Sequence, residues 1–226
     1  MRAVLFDFGG TIDTDGVHWS EMFWDYYRRF KVRTTKKEFE AAFVESEKRI
    51  QAEEGVAGLT FEKLLQRQFA LQFELLGPGV HGAAPGEMAV ACYDDVRSTV
   101  ARARVLLEAY KQRYLLGVVS NFYGNLEVVC REFSLDTLFT VMVDSAVVGL
   151  RKPDPAIFAL ALERMGVPPP EAYVVGDSYD RDIVPARVLG CSTIWLKGPS
   201  WNVPKETDSA DFTITSLAAA RVILLP

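Results

Sequence analysis

Residues 3–11 read Ala3-Val4-Leu5-Phe6-Asp7-Phe8-Gly9-Gly10-Thr11: four apolar residues run into an aspartate and a pair of glycines. A short apolar run closed by glycines is the pattern of a strand buried on both faces, as the strands of a parallel sheet are. From about residue 101 similar runs return in alternation with helical stretches. A helix over 105–113 precedes a strand over 114–119, and a helix over 125–133 precedes a strand over 140–143. Helices over 156–165 and 182–189 precede strands over 172–175 and 192–196, and a last short strand, 212–214, leads into a helix near Leu217. Strands spaced by helices of this length imply a parallel sheet with right-handed crossovers, covered on both faces. The fold class expected is α/β, a doubly wound parallel sheet.

Residues 17–97 have another character. Helical patterns fall over 19–30, 36–53, 61–76 and 87–96, with Phe39, Phe43 and Ile50, then Leu64, Leu65, Phe69 and Phe73, at helical spacing. Thr35 and Thr60 stand where N-caps belong. Gly55, Gly58, the Gly77-Pro78-Gly79 stretch and Pro85-Gly86 separate the pieces. The division expected is a sheet-containing core of residues 1–16 and 98–226, with 17–97 as an inserted helical cap.

Composition sets bounds. The chain has 226 residues, 49% hydrophobic and 24% charged, which suits a folded protein with a sizeable core. A net charge of −5 argues against a broad nucleic-acid surface, although a local cation can still hold a small anion. Cys92, Cys130 and Cys191 are odd in number and widely spaced, so they read as thiols, not a disulfide framework or zinc site. No signal-peptide pattern and no apolar run of membrane-spanning length are present, so the expectation is a cytoplasmic protein without membrane partners. His18 and His81 are the only histidines, which gives little support to a histidine-based metal site or triad. No dinucleotide fingerprint or Walker loop occurs. The sequence leaves the oligomeric state open.

In open α/β sheets, ligands bind at the carboxyl ends of the strands. Four polar clusters fall just past those ends: Asp7 to Thr11, Ser120-Asn121, Arg151-Lys152-Pro153, and Gly176-Asp177-Ser178 with Asp180 and Asp182 behind. Each alone is ordinary turn or cap chemistry. Together they are what phosphoryl transfer to a carboxylate requires. Asp7 would attack and form an aspartyl-phosphate. The repulsion between that carboxylate and a phosphate must be cancelled by a divalent cation and fixed donors. Asp177 offers a hard oxygen for magnesium. Thr11 or Ser120 and a neighbouring backbone N–H could hold phosphate oxygens, and Lys152 adds a point charge.

With these residues in this order, the chain resembles the haloacid-dehalogenase-like hydrolases, over essentially its whole length and including a cap after the first motif. The resemblance implies a Rossmann-like core and a small phosphorylated substrate. It implies Asp7 as nucleophile, Lys152 as the third-motif lysine, and Thr11, Ser120 and Asn121 around the phosphate. It implies Mg²⁺ held by Asp7, Asp177 and the backbone carbonyl of residue 9, with Asp182 acting through water or by orienting other groups.

The sequence departs from that pattern at Gly9, where the family's phosphatases carry an aspartate that protonates the leaving group. Losing a general acid costs about 10²–10⁴-fold in rate. Three readings stay open. A specialised phosphatase could use a substrate with a good leaving group, such as an acyl phosphate, or recruit Asp13, Asp15 or His18, whose simpler explanation is turn and hinge chemistry. A phosphonatase-like enzyme would need a cap lysine as Schiff base; Lys48 is on a cap helix, but an exposed ion pair with Glu45 or Glu47 explains it more simply. A non-enzymatic relative would keep the fold and the metal. His18, Trp19, Phe23 and Trp24 could line a pocket, although packing explains the aromatics equally. The loop 197–208, between Trp195 and the last strand, either covers the sheet edge or reaches a neighbouring surface.

Overall fold

The computed structural model describes residues 1–80, 82, 84–201 and 210–225. His81 and residues 202–208 of the loop noted above lie outside the described residues.

The apolar run at the start forms β1 (Ala3–Phe6), buried along its whole length. A π-helical turn over Phe8–Ile12 follows. The helical unit comprises α1 (Trp19–Arg29), α2 (Lys36–Ala52), α3 (Phe61–Leu76) and the first half of α4 (Pro85–Lys111). Beyond it come β2 (Leu115–Ser120), α5 (Leu126–Glu132), β3 (Val141–Asp144), the short α6 (Ser145–Val148) and α7 (Ala156–Met165). The chain then forms β4 (Ala172–Gly176), a second π-helical turn over Tyr179–Ile183, α8 (Val184–Val188), β5 (Ser192–Leu196), β6 (Phe212–Ile214) and α9 (Arg221–Leu224).

The six strands make one sheet in the order β3-β2-β1-β4-β5-β6, and every neighbouring pair is parallel. The strand order reverses at β1, which lies between β2 and β4, so the carboxyl ends of these three strands form the crevice where such sheets bind ligands. The register sets Phe6 beside Val118 on one side and Val175 on the other. Asp7, Ser120 and Asp177 therefore emerge from adjacent strands at one edge.

Strand alternation divides the core into two layers. Val4 and Phe6 join the apolar cluster beneath α4 and α5. Ala3 and Leu5 face the other way, against Ile157, Phe158 and Leu162 of α7. The first cluster continues without a break into the helical unit. Phe8 packs against both Phe61 of α3 and Phe122 after β2, and Phe61 packs in turn against Phe133, with ring centroids 5.5–6.2 Å apart.

Thr35 and Thr60 cap α2 and α3 as expected, the first with a full capping box to Glu38. One reading is corrected. The stretches 87–96 and 105–113 are not two helices but parts of one 27-residue helix, α4, which crosses the expected boundary at residues 97/98. No Gly or Pro interrupts residues 97–104, and Val96, Val100, Ala103 and Leu107 keep the buried face in phase. Among the described residues no helix is long and apolar enough to cross a membrane.

Candidate active site

Asp7 leaves β1 with its N–H donating to Val175 O at 2.9 Å. The residue is 5% exposed, and its Oδ1 accepts from Ser120 Oγ at 3.0 Å and from Lys152 Nζ at 2.6 Å. The Lys152 ammonium, itself 4% exposed, also donates to Asp182 Oδ1 at 2.7 Å and Val119 O at 3.1 Å. All three of its donors are therefore used. Burial alone would lower the Lys152 pKa, but the carboxylates of Asp182 and Asp7 outweigh burial and hold it above its usual value.

Asp182 uses both oxygens on the protein, the second accepting from Ser178 N at 3.0 Å. Asp177 is less well served. Its carboxylate has Thr11 Oγ1 at 3.5 Å, and burial together with the charges of Asp7 and Asp182 pushes its pKa well up. Backbone contacts fix its position: Asp177 N donates to Thr11 Oγ1 at 3.1 Å and Trp195 Nε1 donates to Asp177 O at 2.9 Å. Gly10 lets this carboxylate approach. Its φ is +97°, and any Cβ there would collide with the Asp177 carboxylate.

Oxygens of Asp7, Asp177 and Asp182 all lie within 4.8 Å of one another. Three converging carboxylates with one ammonium between them, one of them short of donors, form a set of hard oxygen ligands that fits a divalent cation such as magnesium.

These groups form the floor of a cavity of about 570 Å³. Asp7, Gly9, Ser120, Asn121, Lys152, Asp177 and Asp182 line it from the sheet edge. Trp19, Phe23, Phe43, Phe61, Leu64 and Leu65 line it from the helical unit, together with Glu47 and Gln68. Thr11 and Asn121, also expected around the phosphate, have partners within the protein. Thr11 is fully buried behind the floor, where it holds Asp177. Asn121 reaches the cavity, but both ends of its amide are bound to the Lys152 backbone, at 3.0 and 2.9 Å.

The three residues after the first motif also separate. Asp13 is fully buried, its oxygens accepting from Gly10 N at 2.7 Å and Trp19 Nε1 at 2.8 Å, and burial raises its pKa to about 8. Asp15 Oδ1 accepts from Leu217 N at 2.6 Å, tying the chain's exit from the site to its C-terminal region. His18 alone of the three lines the cavity. It caps α1, with Nδ1 accepting from Ser20 N at 3.2 Å, and burial followed by the nearby Arg181 charge lowers its pKa to about 4.

Lys48 does not make the helical ion pair expected of it. Arg49 takes Glu45 at 3.1 Å, and Glu47 turns inward to accept from Gln68 Nε2. Trp24 packs 5.2 Å from Phe39 and does not line the cavity, whereas Trp19 and Phe23 do both jobs. Trp201, at the start of the loop after β5, meets Phe43 at 5.4 Å and His18 at 6.2 Å and also reaches the cavity. Gln68, Tyr123 and Arg181 were given no role by sequence reasoning, and Glu47 only that of an ion-pair partner for Lys48, yet all four line the cavity beside Arg151 of the third polar cluster. No spacing signals Glu47, Gln68 and Tyr123, because they come from separate parts of the chain that meet only when it is folded.

The family model described as "Hydrolase: haloacid dehalogenase-like hydrolase" matches residues 1–190. Haloacid dehalogenase-like hydrolase domain-containing protein 3 of Danio rerio is 49% identical over 74 residues, covering 33% of this chain and 31% of that protein. Glyceraldehyde 3-phosphate phosphatase of Pyrococcus furiosus is 33% identical over 126 residues, covering 54% and 52%. The matched stretches thus span a third to about half of those relatives' length. The crystal structure of the HAD-hydrolase YfnB of Bacillus subtilis, bound to magnesium, superimposes with a TM-score of 0.58 at 18% identity, over 100% of this chain and 99% of that one.

Proposed function

Because the chain belongs to the haloacid dehalogenase-like hydrolases, we propose that it is a magnesium-dependent phosphatase that cleaves a small phosphorylated metabolite through Asp7. The observation that carries this reading is the Asp7 carboxylate held between Ser120 and Lys152, with the under-served carboxylate of Asp177 beside it.

Asp7 and Asp177, with the Gly9 carbonyl, would hold the magnesium ion, and Asp182 would keep Lys152 directed at Asp7. When bound, the ion supplies positive charge against the phosphate oxygens and relieves the carboxylate repulsion. Asp7 attacks phosphorus, the bond to the leaving oxygen breaks with its electron pair, and an acyl phosphate forms on Asp7. Water then attacks the same phosphorus, releases inorganic phosphate and restores the carboxylate. Lys152 stays protonated throughout, and with Ser120 it keeps the attacking oxygen in place.

Gly9 decides the class of leaving group. Its backbone is ordinary for any residue, φ −76° and ψ 113°. A Cβ there would make only normal contact with Trp19, at 3.6 and 3.7 Å. Nothing in the fold requires glycine, so the missing carboxylate is a chemical feature. His18 offers a weaker substitute: with Nδ1 accepting, its proton sits on Nε2, a neutral donor able to stabilise a leaving oxygen but not to protonate it readily. The reading therefore favours substrates with stable leaving groups, acyl phosphates above all. Lys48 borders the same cavity but is exposed, whereas an imine-forming amine is activated by desolvation.

The test is magnesium-dependent turnover of acetyl phosphate beside alkyl phosphates. Wild type should favour the acyl phosphate, and Asp7→Asn should abolish turnover. Gly9→Asp should raise alkyl phosphate rates by about 10²-fold or more, and acyl phosphate rates much less. Equal turnover by Asp7→Asn would remove the nucleophile from the account, and equal gains on both substrates would remove the proton-transfer argument.

A further inference from the structure

On the phosphatase reading above, we infer that Glu47 determines specificity at the far end of the substrate. It receives a hydrogen-bond-donating group, hydroxyl or ammonium, on the portion that leaves, and it rejects a carboxylate there. The feature behind this is a carboxylate that the helical unit, not the sheet edge, brings to the cavity lined by Asp7, Lys152 and Asp177.

Glu47 is on α2 and partly buried. It accepts from Gln68 Nε2, and Gln68 is 4% exposed and fixed in the body of α3. The ion pairs of the helical unit leave Glu47 out: Glu45 takes Arg49 and Glu53 takes Arg67. Among the described residues no Lys, Arg or His side chain is paired with it. Burial pushes its carboxyl up, while the Tyr123 hydroxyl, the Gln68 amide and the Arg151 and Arg181 charges act in the opposite sense. A carboxylate accepts about four hydrogen bonds, so Glu47 keeps acceptor capacity on the cavity side.

The wall beside it is largely apolar, with Gln68 and Tyr123 turned to Glu47 itself. Phe43, Phe61, Leu64 and Leu65 line it, and a buried hydroxyl or ammonium without a partner costs binding energy. A carboxylate brought here would face a second negative charge in a poorly screened space. Arg151 and Arg181 also line the cavity but are exposed, so solvent screens their charges.

The experiment uses four aryl phosphates, phenyl phosphate bearing para CH₂OH, CH₂NH₃⁺, CH₃ or CH₂COO⁻. Their leaving groups are nearly equal in basicity and stable enough to need little protonation, which sets Gly9 aside. Wild type should favour the hydroxyl and ammonium esters over the methyl ester by about 10- to 100-fold in kcat/KM, the worth of one hydrogen bond to a charged group, and the carboxylate ester should be slowest. A lead of ammonium over hydroxyl would assign the effect to charge, and equality would assign it to hydrogen bonding. Glu47→Gln should compress the series to a few-fold, mainly through KM. Glu47→Lys should move the carboxylate ester to the front, a gain that misfolding cannot mimic. A flat series in wild type, or a series unchanged in both variants, overturns the role given to Glu47 while leaving the phosphatase reading intact if Asp7→Asn is inactive. Turnover of none of the four by a wild type that hydrolyses acetyl phosphate overturns the role given to Glu47 alone, and turnover of neither the four nor acetyl phosphate overturns both.

Discussion

At the scale of single residues, the site is a charge balance that the protein alone leaves uneven. Lys152 is shared by Asp7 and Asp182, and Asp177 is left facing both carboxylates. Asp177→Asn should therefore stabilise the protein in chelator, raising Tm by about 2–4 °C, the equivalent of ~1 kcal/mol for a chain of this length, while removing the stabilisation that magnesium gives wild type. A lower Tm in chelator would mean that Asp177 is not strained by its neighbours. His18 carries a pH dependence of its own. Its folded-state pKa is depressed to about 4 from 6.5, by burial and then by Arg181, with Asp7 and Glu21 opposing. The stability tied to its neutral form is thus present above pH ~6.5 and lost as pH falls through ~4. Asparagine keeps an N-cap for α1, so His18→Asn should flatten this acid limb relative to wild type in urea titrations, by up to ~3 kcal/mol. Parallel curves for the two proteins would contradict it.

Elements bring these residues together, and one contact between elements should register clearly. Glu132, the last residue of α5, accepts from the Phe61 and Glu62 N–H groups at the start of α3, at 2.5 and 3.5 Å. It adds a carboxylate to a helix N-terminus already capped by Thr60. Glu132→Ala should cost about 1–2 kcal/mol in urea unfolding, because it loosens α3, which carries Gln68, Leu64 and Leu65 into the cavity. A change under ~0.3 kcal/mol would show that Thr60 suffices. Elements are also where sequence reading succeeded and stopped. The run at 3–6 and the alternation after residue 101 gave the parallel sheet, because burial on both faces leaves an unbroken apolar signature. The split of α4 failed for a physical reason: Arg97, Arg102 and Arg104 interrupt the composition without interrupting the buried face of Val96, Val100 and Ala103.

For the whole molecule, the strand order explains what was legible in the site. Ser120 ends β2, and Asp7 and Asp177 directly follow β1 and β4, adjacent strands of a parallel sheet, so their convergence follows from topology. Thr11 and Asn121 show what was not legible: the Thr11 hydroxyl accepts from Asp177 N, and the Asn121 side-chain amide is bonded to the Lys152 backbone, contacts that residue type and position do not reveal. Glu47 and Trp201 were illegible as site residues because long-range folding alone brings them to the cavity. The account's central claim is that Asp7 becomes covalently phosphorylated. Acid quenching of the magnesium-loaded protein during acetyl phosphate turnover, followed by mass spectrometry of its peptides, tests it directly. The account predicts a transient phosphoryl group on the peptide carrying Asp7, absent in Asp7→Asn. Steady turnover with no adduct there at any quench time, or an adduct on another residue, would contradict it.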